Sequence, residues 1–416
     1  MKKTKISSIV ISIILLFSIL VSFVGCGRTV EATNLMDGIT PSPVNVESAG
    51  GNETITDFAL RLFRSTAENG KNTLISPLSV ISALAMTANG AEGETLRQME
   101  EVLGMNREEL NLYLYSYTKS LSQGEKYKLS LANSIWFKDD ARFSVNRSFL
   151  QTNADYYGAD IYKAAFDRQT VRDINNWVKN ETDNMIPKVI EKIPEYTIMY
   201  LINTLAFEAE WQEIYEKHQV RDGKFTKEDG TEQDAELMYC TEGKYLEDGK
   251  ATGFIKYYNG RKYAFAALLP NEGVSVSDYI SSVDGASIYS MLSGAENKTV
   301  KTAIPKFECE YDVEMSEILK GMGMTDAFEK DFADFDGIGE WSEGNIFISN
   351  VLHKTYIQVG EKGTRAGAVT VIAMDGAASA APDEVKYVYL DRPFVYMLID
   401  CENNIPFFIG TVMDID

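Results

Sequence analysis

The stretch from Glu361 to Glu384, EKGTRAGAVTVIAMDGAASAAPDE, constrains the fold more than any other part of the chain. It is rich in small and apolar residues, uncharged from Ala366 to Met374, and it holds no proline before Pro382. The segments on either side, VLHKTYIQV and VKYVYLDRPFVYMLI, are strongly β in character and fix its ends. A connection this long inside a compact domain is uncommon and is functional or disordered as a rule. Disordered loops are polar, whereas this one has the composition of a strand inside a sheet. Any fold for the chain must therefore carry a spare strand.

The rest of the body, from Asn52 to Asp416, runs without a linker-like break. ITDFALRLFRSTA places Ile55, Phe58, Leu62 and Phe63 at helical spacing. NTLISPLSVISALAM predicts a short strand and then a buried helix, with Ser76 as the cap before Pro77. EGETLRQMEEVLG predicts a helix ending on Gly104, and YKLSLANSIWFKDD a strand. INNWVKNETDNMIPKVIEKI predicts a helix with Ile174, Trp177, Val178 and Met185 on one face. From Met199 onward the chain is mainly β, with NG and DG turns, and EMSEILKGMGM is one more helix. Helices early and strands late predict an α+β domain.

The N-terminus is a targeting segment. MKKTK is cationic and IVISIILLFSILVSFV is apolar, so residues 1–25 are expected to be a signal peptide. It closes on FVGCG, which resembles a bacterial lipobox with Cys26 as the lipidated residue, although Phe23 stands where Leu is commoner. An ordinary cleaved signal peptide is the alternative. Residues 26–51, rich in Gly, Pro and Ser, are expected to be a flexible tether. The expected location is extracellular: anchored to the cell surface through lipid at Cys26, or secreted if the lipobox is not used. Removing the signal peptide leaves 37 basic against 61 acidic residues. Such a polyanion repels phosphate backbones and anionic lipid, which argues against nucleic acid and leaves the N-terminal lipid as the only membrane contact. Cys240, Cys309 and Cys401 remain, an odd number at no metal-binding spacing, and are expected to be buried free thiols.

The chemistry of an enzyme is missing. The chain has two histidines, His218 in a charged run and His353 in a strand, and no HExxH, CxxC, P-loop or GxSxG. A base-activated serine or cysteine would need one of these imidazoles. No enzyme activity, cofactor or metal is expected.

Five segments together resemble the serpin family, in the family's order and over about residues 52 to 416. VYLDRPFVYML, from Val388 to Leu398, fits the family signature. NTLISPLSVISALAM resembles its early helix, and LINTLAFEAEW its central-sheet strand, with Asn203 and Trp211 in place. VLHKTYIQVGEKGTRAGA resembles the strand and hinge before the reactive loop, and IPFFIGTVMDI the closing strand. The resemblance implies an α+β fold of three sheets and about nine helices. It also implies an exposed loop that baits a serine protease, inserts after cleavage as a new sheet strand, and traps the protease in a covalent one-to-one complex with a monomeric inhibitor. A non-inhibitory serpin, acting as a chaperone-like or carrier lipoprotein, is the alternative.

On that resemblance the hinge comprises Glu361, Gly363, Thr364, Arg365, Ala366, Gly367 and Ala368. Side chains alternate faces along a strand. With Thr364 inward, Ala366, Ala368, Thr370, Ile372 and Met374 follow it, and none is charged. Arg365, where the family often has an acid, then points to solvent. The resemblance places the scissile bond between Ala377 and Ala378, with Met374 or Ala378 as the runner-up for the residue before it. Alanine suits the shallow pocket of elastase-like or subtilisin-like proteases. Ser76, Ser79, Asn203 and His353 match the family's polar cluster beneath the opening sheet, and Trp211 the point where insertion begins.

Overall fold

A computed structural model describes residues 30–45, 50–121, 123–342, 344–364 and 384–415. Among these residues nine α-helices and three sheets are formed. Seven strands make the first sheet: β1 (Thr33–Asn34), β2 (Tyr127–Lys138), β3 (Asp160–Ala164), β4 (Met199–Glu210), β5 (Phe307–Glu314), β6 (Asn350–Gly360) and β7 (Gly363–Thr364). Their order across the sheet is β1-β3-β2-β4-β7-β6-β5. A nine-stranded sheet packs behind it, and Gly339–Trp341 with Phe143–Val145 forms a two-stranded third.

Strand β4 shows why the sequence runs apolar there. Met199, Leu201, Leu205, Phe207 and Ala209 belong to the main core, whereas Tyr200 and Ile202 point to a second cluster on the opposite face. A strand buried on both faces loses the polar half of its alternation. The second cluster is closed by the helix Arg168–Glu181, which contributes Ile174, Trp177 and Val178. Met185 does not share that helical face as expected. The helix stops at Glu181, and Asp183 and Asn184 take positive φ of 47° and 64°. The Thr182 hydroxyl donates to the Val178 carbonyl and accepts from the Ile186 amide, closing the end.

The early helices and late strands do not separate cleanly, because helices Val276–Ser282 and Gly285–Ser293 sit among the strands. Residues 30–45, expected as part of a tether, are docked rather than free. Thr33 and Asn34 pair with Lys163 and Tyr162 at the sheet edge, and the Ala32 amide donates to Asp173 Oδ2 at 3.1 Å. The signal was Val30, Ala32, Leu35 and Met36, apolar residues that pack on the two cores. No helix of the described residues is long and apolar enough to cross a membrane.

Candidate functional site

The central pair of the first sheet is only partly closed. β4 and β6 run parallel and pair over four rungs, from Asn350↔Tyr200 to His353↔Asn203. Beyond that rung the strands part, and at the far end β7 lies between them. Gly363 and Thr364 pair antiparallel with Glu210 and Ala209 on one side and with Gly360 and Val359 on the other. Between the two regions, residues 204–208 and 354–358 form no rung with each other. The outer flanks are continuous: β2 follows β4 from Tyr127↔Ala209 to Phe137↔Met199, and β5 follows β6 from Phe307↔Val359 to Glu314↔Leu352.

At the closed end four buried residues meet. His353 Nε2 accepts from the Ser76 amide at 3.0 Å, which puts the ring proton on Nδ1. Nδ1 lies 3.0 Å from Asn203 Oδ1, which also accepts from the Ser79 hydroxyl at 2.9 Å. Ser76 caps the helix Pro77–Ala88 by accepting from the Ser79 amide. Desolvation pushes the His353 imidazole down to about 3, so it is neutral. Its Nε2 is taken up by a backbone amide. His218 sits on the surface beside Glu216.

At the open end the hinge is clasped. Trp211 donates from its ring Nε1 to the Gly360 carbonyl at 2.8 Å and from its amide to the Lys362 carbonyl at 2.8 Å. The Tyr215 amide donates to the Glu361 carbonyl at 2.9 Å. Trp211 stacks on Tyr258, centroids 4.4 Å apart and planes 7° from parallel. Tyr258 in turn hydrogen-bonds Thr364, whose side chain is 1 % exposed. Lys306 pairs with Glu361 and with Glu236. Burial opposes ionisation of Glu361, and the Lys306 ammonium outweighs it, holding the carboxyl below its usual value. Gly363 has φ +152°, and a Cβ there would lie 1.9 Å from the Ala209 carbonyl oxygen, so only glycine fits.

The structure thus brings Ser76, Ser79, Asn203 and His353 together at one end of the parting and Trp211, Glu361, Gly363 and Thr364 at the other. Arg365, Ala366, Gly367, Ala368, Ala377, Ala378 and Cys26 lie outside the described residues. Tyr258, Tyr215 and Lys306 escaped sequence reading. Lys306 alone carried a signal, a lone cation between two apolar strand ends in AIPKFE. The thiols of Cys240, Cys309 and Cys401 are unpaired; Cys309 is buried and the other two are half-buried. Burial pushes the Cys309 thiol up to about 11 and the Cys401 thiol up to about 12.

The first sheet is thus parted between β4 and β6, with Gly363 and Thr364 seated in the parting. The chain belongs to the serpin family: the family profile described as "Serpin (serine protease inhibitor)" matches residues 53–415. It is 27 % identical to an uncharacterized serpin-like protein of Thermococcus kodakarensis, over 86 % of this chain and 84 % of that one. It is 27 % identical to neuroserpin of Homo sapiens, over 87 % and 91 %. Among solved structures, the thermophilic serpin tengpin in its native state is 47 % identical, with a TM-score of 0.88 over 92 % of this chain and all of that one. The latent state of tengpin gives 0.79 over 90 % of this chain. Members of the family are in general protease inhibitors rather than catalysts.

Proposed function

We propose that this protein is a suicide-substrate inhibitor of elastase-like or subtilisin-like serine proteases. The protease serine attacks the Ala377 carbonyl, the bond to Ala378 breaks, and the new amine leaves on Ala378. The loop from Arg365 onward then inserts between β4 and β6, carrying the acylated protease with it into a covalent one-to-one complex with the monomer. The observation that carries this reading is the seating of Gly363 and Thr364, paired on both sides between the parted strands. The uncharged inward row from Ala366 to Met374 supports it, as does the polar cluster whose bonds must break for the parting to extend past His353. The uninserted form is metastable and held by kinetics. Lipidation at Cys26 would hold the inhibitor at the cell surface.

The test is incubation with subtilisin or elastase. A band at the summed mass that survives boiling in detergent is expected. Cleavage of the loop without such a band would overturn inhibition and favour a non-inhibitory binding protein.

A further inference from the structure

The strand Ala251–Tyr257 reads ATGFIKY, and its lysine is 2 % exposed. Lys256 sits where the nine-stranded sheet forks. Its strand pairs with Glu232–Glu247 only from Glu247↔Thr252 to Tyr245↔Phe254, and beyond that the two diverge. The segment Trp211–Tyr215 spans the fork. On one side the Gln212 amide donates to the Tyr257 carbonyl at 3.0 Å, and on the other Cys240 Sγ donates to the Tyr215 hydroxyl oxygen at 3.4 Å.

The Lys256 ammonium lies inside this fork and touches every part of it. It donates to Glu242 at 2.9 Å and to the Glu213 carbonyl at 3.3 Å, and lies 3.7 Å from Cys240 Sγ. It also faces the rings of Tyr215 and Trp211, 4.4 Å and 5.3 Å from their centroids. A buried ion pair gains little stability over apolar residues of the same volume. What the cation adds here is direction, because its contacts fix both rings and the backbone of one short segment. Trp211 and Tyr215 donate one hydrogen bond to each of the backbone carbonyls of Gly360, Glu361 and Lys362.

We propose that Lys256 is a positioning residue for loop insertion: it ties the segment that clasps the hinge to both arms of the forked sheet. The inference rests on the inhibitor reading above. With the clasp held, the turn between β6 and β7 aims the loop into the parting. With it loose, insertion starts less readily, and hydrolysis of the acyl-enzyme competes.

The test uses the double variant Lys256→Met/Glu242→Gln, which removes both charges, keeps the volume and leaves no lone buried ion. Two quantities are measured: hydrogen exchange of the Trp211 and Tyr215 amides, and the number of inhibitor molecules consumed per subtilisin trapped. Exchange at the two amides should quicken by about tenfold or more while β2 keeps its protection, and consumption should rise several-fold. Lys256→Met alone leaves Glu242, the less buried partner of the pair, and should move both in the same direction, which guards against a double variant that does not fold. Unchanged exchange at the two amides, equal acceleration throughout the fold, or faster exchange with unchanged consumption would each overturn the proposal. If the wild type traps no subtilisin, the inhibitor reading fails instead, and the exchange measurement alone decides whether Lys256 holds the clasp.

Discussion

His353 and Asn203 face each other across the last rung that β6 and β4 share, with Nδ1 of the imidazole 3.0 Å from Oδ1 of the amide. One step further the strands are apart. A neutral imidazole thus closes the seam that insertion would have to open.

That neutrality gives a pH dependence. The His353 value is pushed down from 6.5 to about 3 by burial. Between these two values the unfolded chain takes up a proton that the folded chain refuses. The residue's contribution to stability is therefore intact above pH 6.5 and falls as the pH drops toward 3. The slope from this one group is about 1.4 kcal/mol per pH unit. Denaturant titrations of wild type and His353→Asn should show a stability difference that shrinks as the pH falls from 7 to 4. A constant difference would mean that the ring takes up its proton as readily in the folded protein as in the unfolded chain.

Gly363→Ala should unseat β7. The backbone there is at φ +152°, and the added methyl would meet the Ala209 carbonyl. Strain of about 1–3 kcal/mol is expected, with a lower melting temperature and loss of trapping. A variant that melts and inhibits like wild type would show that the hinge is not held as described.

Thr364→Arg should convert inhibitor into substrate. The Thr364 side chain is enclosed against Tyr258, and an unpaired charge in that position costs several kcal/mol. Cleaved loop should accumulate with active protease recovered; stoichiometric trapping by the variant would refute the inward assignment.

Ala377→Arg should redirect specificity. A trypsin-like pocket with a buried aspartate rejects alanine, and such rejection reaches orders of magnitude. Association with trypsin should rise and association with elastase should fall, while the complex formed remains covalent. Sequencing the peptide released from the wild-type complex locates the bond; a cut after Met374 or Ala378 would move the bait.

Cys26→Ser should release the protein from the membrane fraction or leave its N-terminus unprocessed, because lipidation needs the thiol. Fractionation and N-terminal mass measurement check this. Unchanged partitioning with normal processing would remove the anchor.

Local chemistry made much of this protein legible in its sequence. The Ser76 cap and Pro77 start one helix, Gly104 ends another in a left-handed turn, and period-two apolar runs mark the strands. Each depends on residues within one turn or one strand, so it can be read along the chain. With Thr364 given the inward face, alternation collects the uncharged residues of the loop on the same side, and the Thr364 side chain is enclosed between β4 and β6. Only the tertiary structure decided where those strands part. Asn203 and His353 are 150 positions apart, and their rung exists because β2 and β5 hold the outer flanks of β4 and β6. The burial of Lys256 was decided in the same way. Its strand looks amphipathic at one residue, yet the fork of a sheet, a carboxylate from a neighbouring strand and two aromatic rings from a crossing segment enclose the charge. Burial and pairing across the fold depend on which distant segments arrive at the same place, and no spacing within a single segment encodes that.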